Sequence, residues 1–175
     1  MVEIEAKFKV EDLDLMRDKI LKVGAERVGE TSQIDTYFVH PVKEELKGCP
    51  TYLRIRTSGG KTSLAMHYKL EEYKWEELET VVQDGDIVRE IYKNLGFEVD
   101  VEVEKKRETW KIPEGEIVID TIKGLGAFME IEVYSIWKLA RYCDVFGLVL
   151  GEKDPLERKA YPDLLRELKS NEKKT

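Results

Sequence analysis

Three times along the chain, two glutamates flank a single aliphatic residue: Glu3-Ile4-Glu5, Glu77-Leu78-Glu79 and Glu130-Ile131-Glu132. On an extended strand, successive side chains point to opposite faces, so each acid pair shares one face and its aliphatic neighbour takes the other. The cations obey the same rule. Lys7 and Lys9 continue the file of Glu3 and Glu5, Arg54 and Arg56 flank Ile55, Lys69 ends the file of LAMHYKL, and Lys105 and Arg107 share a face of VEVEKKRETWK. Asp120 stands alone in EIVIDT. Paired carboxylates hold hard divalent cations, and magnesium keeps open positions for phosphate oxygens. Arginine clamps phosphates with bidentate contacts and lysine with a point charge. A triphosphate with its metal ions needs both kinds of group together, and without a ligand the like charges repel one another.

One such strand alone reads as an ordinary solvated face. Here up to seven strands repeat the pattern, their polar files are nearly pure in Arg, Lys, Glu and Asp, and acids and bases are segregated onto different strands. Two arrangements satisfy the alternation. One is a flat sheet with helices on its apolar face and water on the other. The second is a sheet that curls until its charged faces meet, giving a channel with carboxylates on one wall and cations around the rest.

The elements that would carry these files can be read from periodicity. Helical patterns cover roughly 12 to 23 (Leu13, Met16, Ile20, Val23), 85 to 95 (Ile87, Val88, Ile91, Leu95) and 136 to 146 (Ile136, Leu139, Ala140, Cys143, Phe146). Each stops at a glycine, Gly24, Gly96 or Gly147, as a left-handed helix end favours. Besides the opening strand, strands are expected at about 27 to 39, 51 to 58, 62 to 70, 75 to 82, 98 to 111 and 115 to 122, and through FMEIEV. Gly59-Gly60 is a hairpin turn, and HPVKEELKGCP at 40 to 50 is a loop. From Asp154 the pattern predicts a capped helical turn, a break at Pro162 and a short amphipathic helix. No linker divides the chain, so residues 1–175 are expected to form one domain with a helical tail from about 154 to 175.

The 175 residues are 42% hydrophobic and 37% charged, which describes a soluble globular protein with a sizeable core. A net charge of -7 and a pI near 5.1 argue against broad binding to nucleic acid or anionic membrane, so phosphate chemistry must use a local basic cluster. No apolar stretch approaches membrane-spanning length and no signal pattern opens the chain, so a cytoplasmic location is expected. Cys49 and Cys143 with His40 and His67 make neither a disulfide framework nor a zinc spacing.

E-x-E-x-K at Glu3, Glu5 and Lys7, IDTYF at 34 to 38, LRIR at 53 to 56, the Lys69 strand, the second glutamate pair, K-x-R at Lys105 and Arg107, Asp120, and GLGAFMEIE at 124 to 132 occur in that order. Together they resemble the CYTH superfamily, the group of class IV adenylyl cyclases, thiamine triphosphatases and inorganic tripolyphosphatases also called triphosphate tunnel metalloenzymes. The resemblance implies an α+β fold: an eight-stranded, mostly antiparallel, barrel-like tunnel with a charged lumen, flanked by helices. It implies Mg²⁺ or Mn²⁺ held by Glu3, Glu5, Glu130 and Glu132, with Glu77, Glu79 and Asp120 assisting. Lys7, Arg54, Arg56, Lys69, Lys105 and Arg107 would bind phosphates, Lys7, Arg107 and Glu79 being the expected catalytic residues. Lys106 competes with Lys105, which alternation with Arg107 favours; near the C-terminus Lys159 is chosen over Arg158. Some members have an arginine where this chain has Trp75. Tyr37, Phe38, Trp110 and Phe128 are expected to pack rather than to stack on a base.

The resemblance points first to ATP converted into cyclic AMP and pyrophosphate, as in class IV cyclases, because GLGAF and the long loop before LRIR are similar to that branch. Hydrolysis of thiamine triphosphate, tripolyphosphate or a nucleoside triphosphate is second, and a binder of nucleotide or polyphosphate without turnover is a distant third. A monomer or homodimer is expected.

Overall fold

Alternation puts Ile4, Ala6 and Phe8 opposite the Glu3 and Glu5 file, and in the computed structural model this apolar face is the outside of a closed barrel covered by helices. The structure describes residues 2–43, 50–150 and 159–172. Eight strands run in chain order: β1 (Val2–Val10), β2 (Glu26–Val39), β3 (Tyr52–Ser58), β4 (Lys61–Glu71), β5 (Lys74–Val82), β6 (Glu98–Ile112), β7 (Gly115–Ile122) and β8 (Gly126–Val133). Helix α1 (Leu13–Lys22) follows β1, α2 (Gly85–Asn94) follows β5, α3 (Ile136–Phe146) follows β8, and α4 (Tyr161–Glu172) lies near the C-terminus.

Around the barrel the order is β1-β5-β4-β3-β2-β6-β7-β8, with every neighbouring pair antiparallel. Closure leaves no unpaired strand edge and turns the charged files inward, which decides against the flat sheet. The order is unchanged when β1 to β4 are exchanged with β5 to β8, so the two strand-helix-strand halves legible in the sequence are also related in space.

Ile20 of α1 and Leu139, Cys143 and Phe146 of α3 pack on Ala6, Phe8, Ile117, Ile119, Met129 and Ile131. Fully burying an aliphatic or aromatic side chain of this size contributes about 1.5–3 kcal/mol, so these helices hold the acid-bearing strands firmly. The α2 helix differs from expectation. Val88 and Tyr92 pack with Phe97 on Phe38, Leu53 and Ile55, whereas Ile87, Ile91 and Leu95 remain at least half exposed. The barrel beneath is convex, so only a narrow stripe of α2 touches it.

The α4 helix packs against the inside of the barrel rather than its outside. Val101, Val103, Ile122 and Phe128, which continue the inward files of Lys105, Asp120 and Glu130, meet Tyr161, Leu164 and Leu165. One end of the lumen is therefore an apolar core and the remainder is charged. The break expected at Pro162 is absent: α4 begins at Tyr161 and carries the proline in its first turn, where a missing N–H costs no helical hydrogen bond. The turn expected from Asp154 and the residues Cys49 and Arg158 lie outside the described residues. No helix among the described residues is long and apolar enough to cross a membrane.

Candidate active site

The charged part of the lumen encloses a cavity of about 420 Å³. Glutamates line one side on three adjacent strands: Glu130 and Glu132 on β8, Glu3 and Glu5 on β1, Glu77 and Glu79 on β5. Cations line the other: Lys69 on β4, Arg54 and Arg56 on β3, Lys105 and Arg107 on β6. Lys7 lies on the acidic side, further along β1. Register explains the segregation, because Glu5 stands opposite Glu132 and Lys7 opposite Glu130 across the β1–β8 ladder.

Two wholly buried aspartates fix the cation wall. Asp35 on β2 accepts from Arg56 Nε at 2.6 Å and Nη2 at 2.8 Å, and lies 3.6 Å from Lys105 Nζ. Asp120 on β7 accepts from Arg107 Nε at 2.7 Å and Nη2 at 2.6 Å, and from Lys105 Nζ at 2.8 Å. Burial alone would raise both carboxyls. The neighbouring cations overcome it, Arg56 foremost at Asp35 and Arg107 foremost at Asp120, and hold both well below the usual carboxylate range. Burial and Arg107 lower Lys105, against the pull of Asp120 and Asp35. Two carboxylates thus orient three cations, leaving positive charge to face the cavity.

The acid wall is electrostatically strained. Burial, then Glu130, Glu132 and Glu3, push Glu5 well above its ordinary value. Glu132 is pushed up to about 7 by burial and by Glu130, Glu3 and Glu116, partly offset by Arg107 at 4.0 Å. Glu3 is raised by burial and Glu77. Arg107 donates to Glu130 at 2.8 Å and so ties the two walls together.

Hard, anionic oxygen donors whose mutual repulsion is only partly relieved are the donor chemistry that suits Mg²⁺ or Mn²⁺. Glu3, Glu5, Glu130 and Glu132 fit that role. Among the described residues, no three Glu, Asp, His or Cys side chains are already gathered around one point, so an ion would have to draw these side chains together.

The other expected positions divide. Asp120 was expected to assist a metal, but it does not line the cavity; it sits behind the wall, saturated by Arg107 and Lys105. Glu77 lines the cavity while accepting from Arg54 Nη2 at 2.8 Å, and Glu79, nearer solvent, accepts from Ser63 Oγ at 2.7 Å. Lys105 faces inward and Lys106 lies exposed on the outer face. Lys159 reaches the cavity, but its ammonium pairs with Glu167 of α4 and its carbonyl accepts from Lys7. Phe38, Trp110 and Phe128 pack in apolar cores, while Tyr37 both packs and lines the cavity.

Sequence reasoning missed Asp35, Tyr52, His67 and Tyr161. Asp35 offered a signal, being the one charge in an inward file that otherwise reads Thr31, Gln33 and Tyr37. Its pairing with Arg56 depends on a β2–β3 register that spacing does not supply. His67 stands between Tyr52 and Glu77 across two ladders, and burial with Arg54 and Arg56 lowers its imidazole to about 3. Its Nε2 and Arg54 Nε are buried and make no hydrogen bond.

Residues 1–135 match the family model for the CYTH domain. A Methanocaldococcus jannaschii protein named provisionally as an adenylate cyclase is 30% identical over 174 residues, covering 94% of this chain and 98% of that protein. The solved structure of the PH1012 protein from Pyrococcus horikoshii OT3 is 30% identical, with a TM-score of 0.77 over 93% of this chain and 98% of that one. A Hippeastrum protein named provisionally as an adenylyl cyclase and described as having a dominant triphosphatase activity shares the fold at 18% identity. Its TM-score is 0.62, and the match covers 89% of this chain and 92% of that one.

Proposed function

Since the chain belongs to the CYTH domain family, we propose that it is a divalent-metal-dependent enzyme acting on a triphosphate, with conversion of ATP into cyclic AMP and pyrophosphate as the first reading. The observation that carries this is the arrangement of one cavity: a wall of repelling glutamates faces a wall of cations, three of which buried Asp35 and Asp120 hold in place. A purely anion-binding lumen would need the second wall and not the first.

Arg54, Arg56, Lys105 and Arg107 hold the phosphate chain, each charge-assisted hydrogen bond contributing about 1.5–3 kcal/mol. Because the three guanidinium groups and the Lys105 ammonium are already held by carboxylates, binding spends little on ordering them. Lys7 and Arg107 lie beside Glu130 and can neutralise charge that develops on the phosphoryl oxygens. A divalent cation held by Glu3, Glu5, Glu130 and Glu132 would neutralise the triphosphate and polarise the phosphorus under attack. In the cyclase reaction the ribose 3′-hydroxyl oxygen bonds to the α-phosphorus, its proton leaves, and pyrophosphate departs. We place this activity in the cytoplasm, with Mg²⁺ or Mn²⁺ as the ion.

Triphosphate hydrolysis is the second reading: water bonds to the terminal phosphorus, its bond to the bridging oxygen breaks, and the diphosphate portion leaves as orthophosphate forms. The same lining serves it, and the Hippeastrum protein carries a cyclase name beside a dominant triphosphatase activity. The test is product analysis by anion exchange after incubation with Mg²⁺ or Mn²⁺ and, separately, ATP, thiamine triphosphate and tripolyphosphate. Cyclic AMP with pyrophosphate supports the first reading. Orthophosphate without cyclic product supports the second, and intact substrate in all three tubes overturns both.

A further inference from the structure

At the β4–β5 hairpin the cavity lining changes character. Trp75, the partner of Lys69 across the β4–β5 ladder, lies with its ring centroid 5.9 Å from that of Tyr52 at an interplanar angle of 32°. The Tyr52 hydroxyl donates to Asp163 of α4 at 2.6 Å, and Tyr37 meets the Tyr52 ring edge-on at 6.0 Å, so the tyrosine ring is fixed from two sides. The Lys69 ammonium stands 5.6 Å from the Trp75 ring. Next to these rings, His67 Nε2 is buried and makes no hydrogen bond, with Glu77 Oε1 3.4 Å away.

Packing accounts for Tyr52, which borders the apolar end of the lumen, but not for Trp75. Trp75 belongs to none of the apolar clusters of the core, and it lines the cavity among lysines and glutamates. An inorganic polyphosphate needs only donors and counter-ions, and an indole supplies neither along its face. Burying an imidazole nitrogen without a hydrogen bond is costly unless a ligand completes it. A flat aromatic surface with one polar atom at its margin suits a flat ligand with a polar edge.

We infer that Trp75, backed by Tyr52, stacks on an amino-substituted heteroaromatic ring carried by the triphosphate, and that His67 Nε2 hydrogen-bonds the polar edge of that ring. This rests on the triphosphate reading above and narrows it to organic triphosphates. Adenine and the aminopyrimidine of thiamine share the required chemistry. Trp75 and His67 then set the preference between an organic triphosphate and bare tripolyphosphate, while the arginines and lysines serve both.

The test is calorimetric binding of ATP, thiamine triphosphate and tripolyphosphate to the full chain. Ca²⁺ serves as the cation, and chromatography confirms that each ligand stays intact. Wild type is compared with Trp75→Leu, Trp75→Phe and His67→Phe, each first shown to be folded by circular dichroism. Stacking of one base changes affinity by about tenfold or more. The expected result is that Trp75→Leu lowers the ratio of organic-triphosphate to tripolyphosphate affinity by about that factor. Trp75→Phe should keep most of the ratio, and His67→Phe should lower it. The organic ligand whose ratio falls identifies the ring. An unchanged ratio in both Trp75→Leu and His67→Phe overturns the inference. So does a wild-type protein that binds tripolyphosphate and neither organic ligand, an outcome that leaves the triphosphate reading standing. Binding of none of the three removes that reading as well.

Discussion

Replacing Glu132 by glutamine should make the metal-free protein more stable while removing a residue the activity needs. Burial first, and then Glu130, Glu3 and Glu116, push its carboxyl up to about 7 from an ordinary value of 4.5, against the pull of Arg107. A carboxyl raised on folding binds more protons in the native state, so its unfavourable contribution is absent below about 4.5 and grows as pH rises through 7. With about 1.4 kcal/mol per unit, the gap of roughly 2.5 units amounts to about 3 kcal/mol at pH 8. Glutamine has the same shape and cannot ionise. In chelator at pH 8, Glu132→Gln should therefore melt about 6–12 °C above wild type, and the difference should vanish toward pH 4.5. Adding Mn²⁺ should raise the wild-type Tm more than that of the variant, because the ion relieves the repulsion the substitution has already removed. The assay is differential scanning calorimetry of both proteins over that pH range, with chelator and with Mn²⁺. A variant no more stable than wild type at pH 8 in chelator would refute the strained acid wall.

Asp120→Asn should have the opposite effect, costing about 3–5 kcal/mol because it leaves Arg107 and Lys105 buried without their counter-charge. Urea unfolding measures this, and kcat should fall with it because the Arg107 fork loses its orientation. Asp35 and Asp120 are both lowered on folding, so their stabilisation is full above about 4 and is lost as pH falls below it; wild type should show an acid transition there that Asp120→Asn shares only in part. Gly115→Ala should disturb the site from outside it. A Cβ at Gly115 would stand 2.0 Å from the Glu132 carbonyl oxygen, and φ there is +154°, so the β7–β8 ladder must shift. A lowered Tm together with weakened Mn²⁺ binding is expected, and an unchanged Tm would show that the ladder adjusts without strain.

Much of the barrel was legible because its strands are amphipathic in an unusual sense, with charge on one face and an aliphatic file on the other. The same alternation allowed a flat sheet. What selects closure is the pairing of β1 with both β5 and β8, which joins residues 70 and more apart and leaves no local signature. The inward files of Glu3, Glu5, Arg54, Arg56, Lys105 and Arg107 reach the cavity as alternation implied. Asp120 reads identically to them in sequence and ends up behind the wall, because it stands directly across the β6–β7 ladder from Arg107. Tyr161 and α4 could not be placed from periodicity at all: an amphipathic helix packs as readily outside a barrel as within its end. Pro162 misled for a related reason, since its effect depends on whether it falls in a helix interior or in a first turn.

The central claim is that the acid wall holds a divalent cation for a triphosphate gripped by the cation wall. Its most direct test is Mn²⁺ binding by electron paramagnetic resonance, with and without tripolyphosphate, in wild type and in folded Glu5→Gln and Glu130→Gln variants. The account predicts Mn²⁺ binding by wild type that tightens when tripolyphosphate is present, and at least tenfold weaker binding in both variants. Equal Mn²⁺ affinity in wild type and both variants would contradict it.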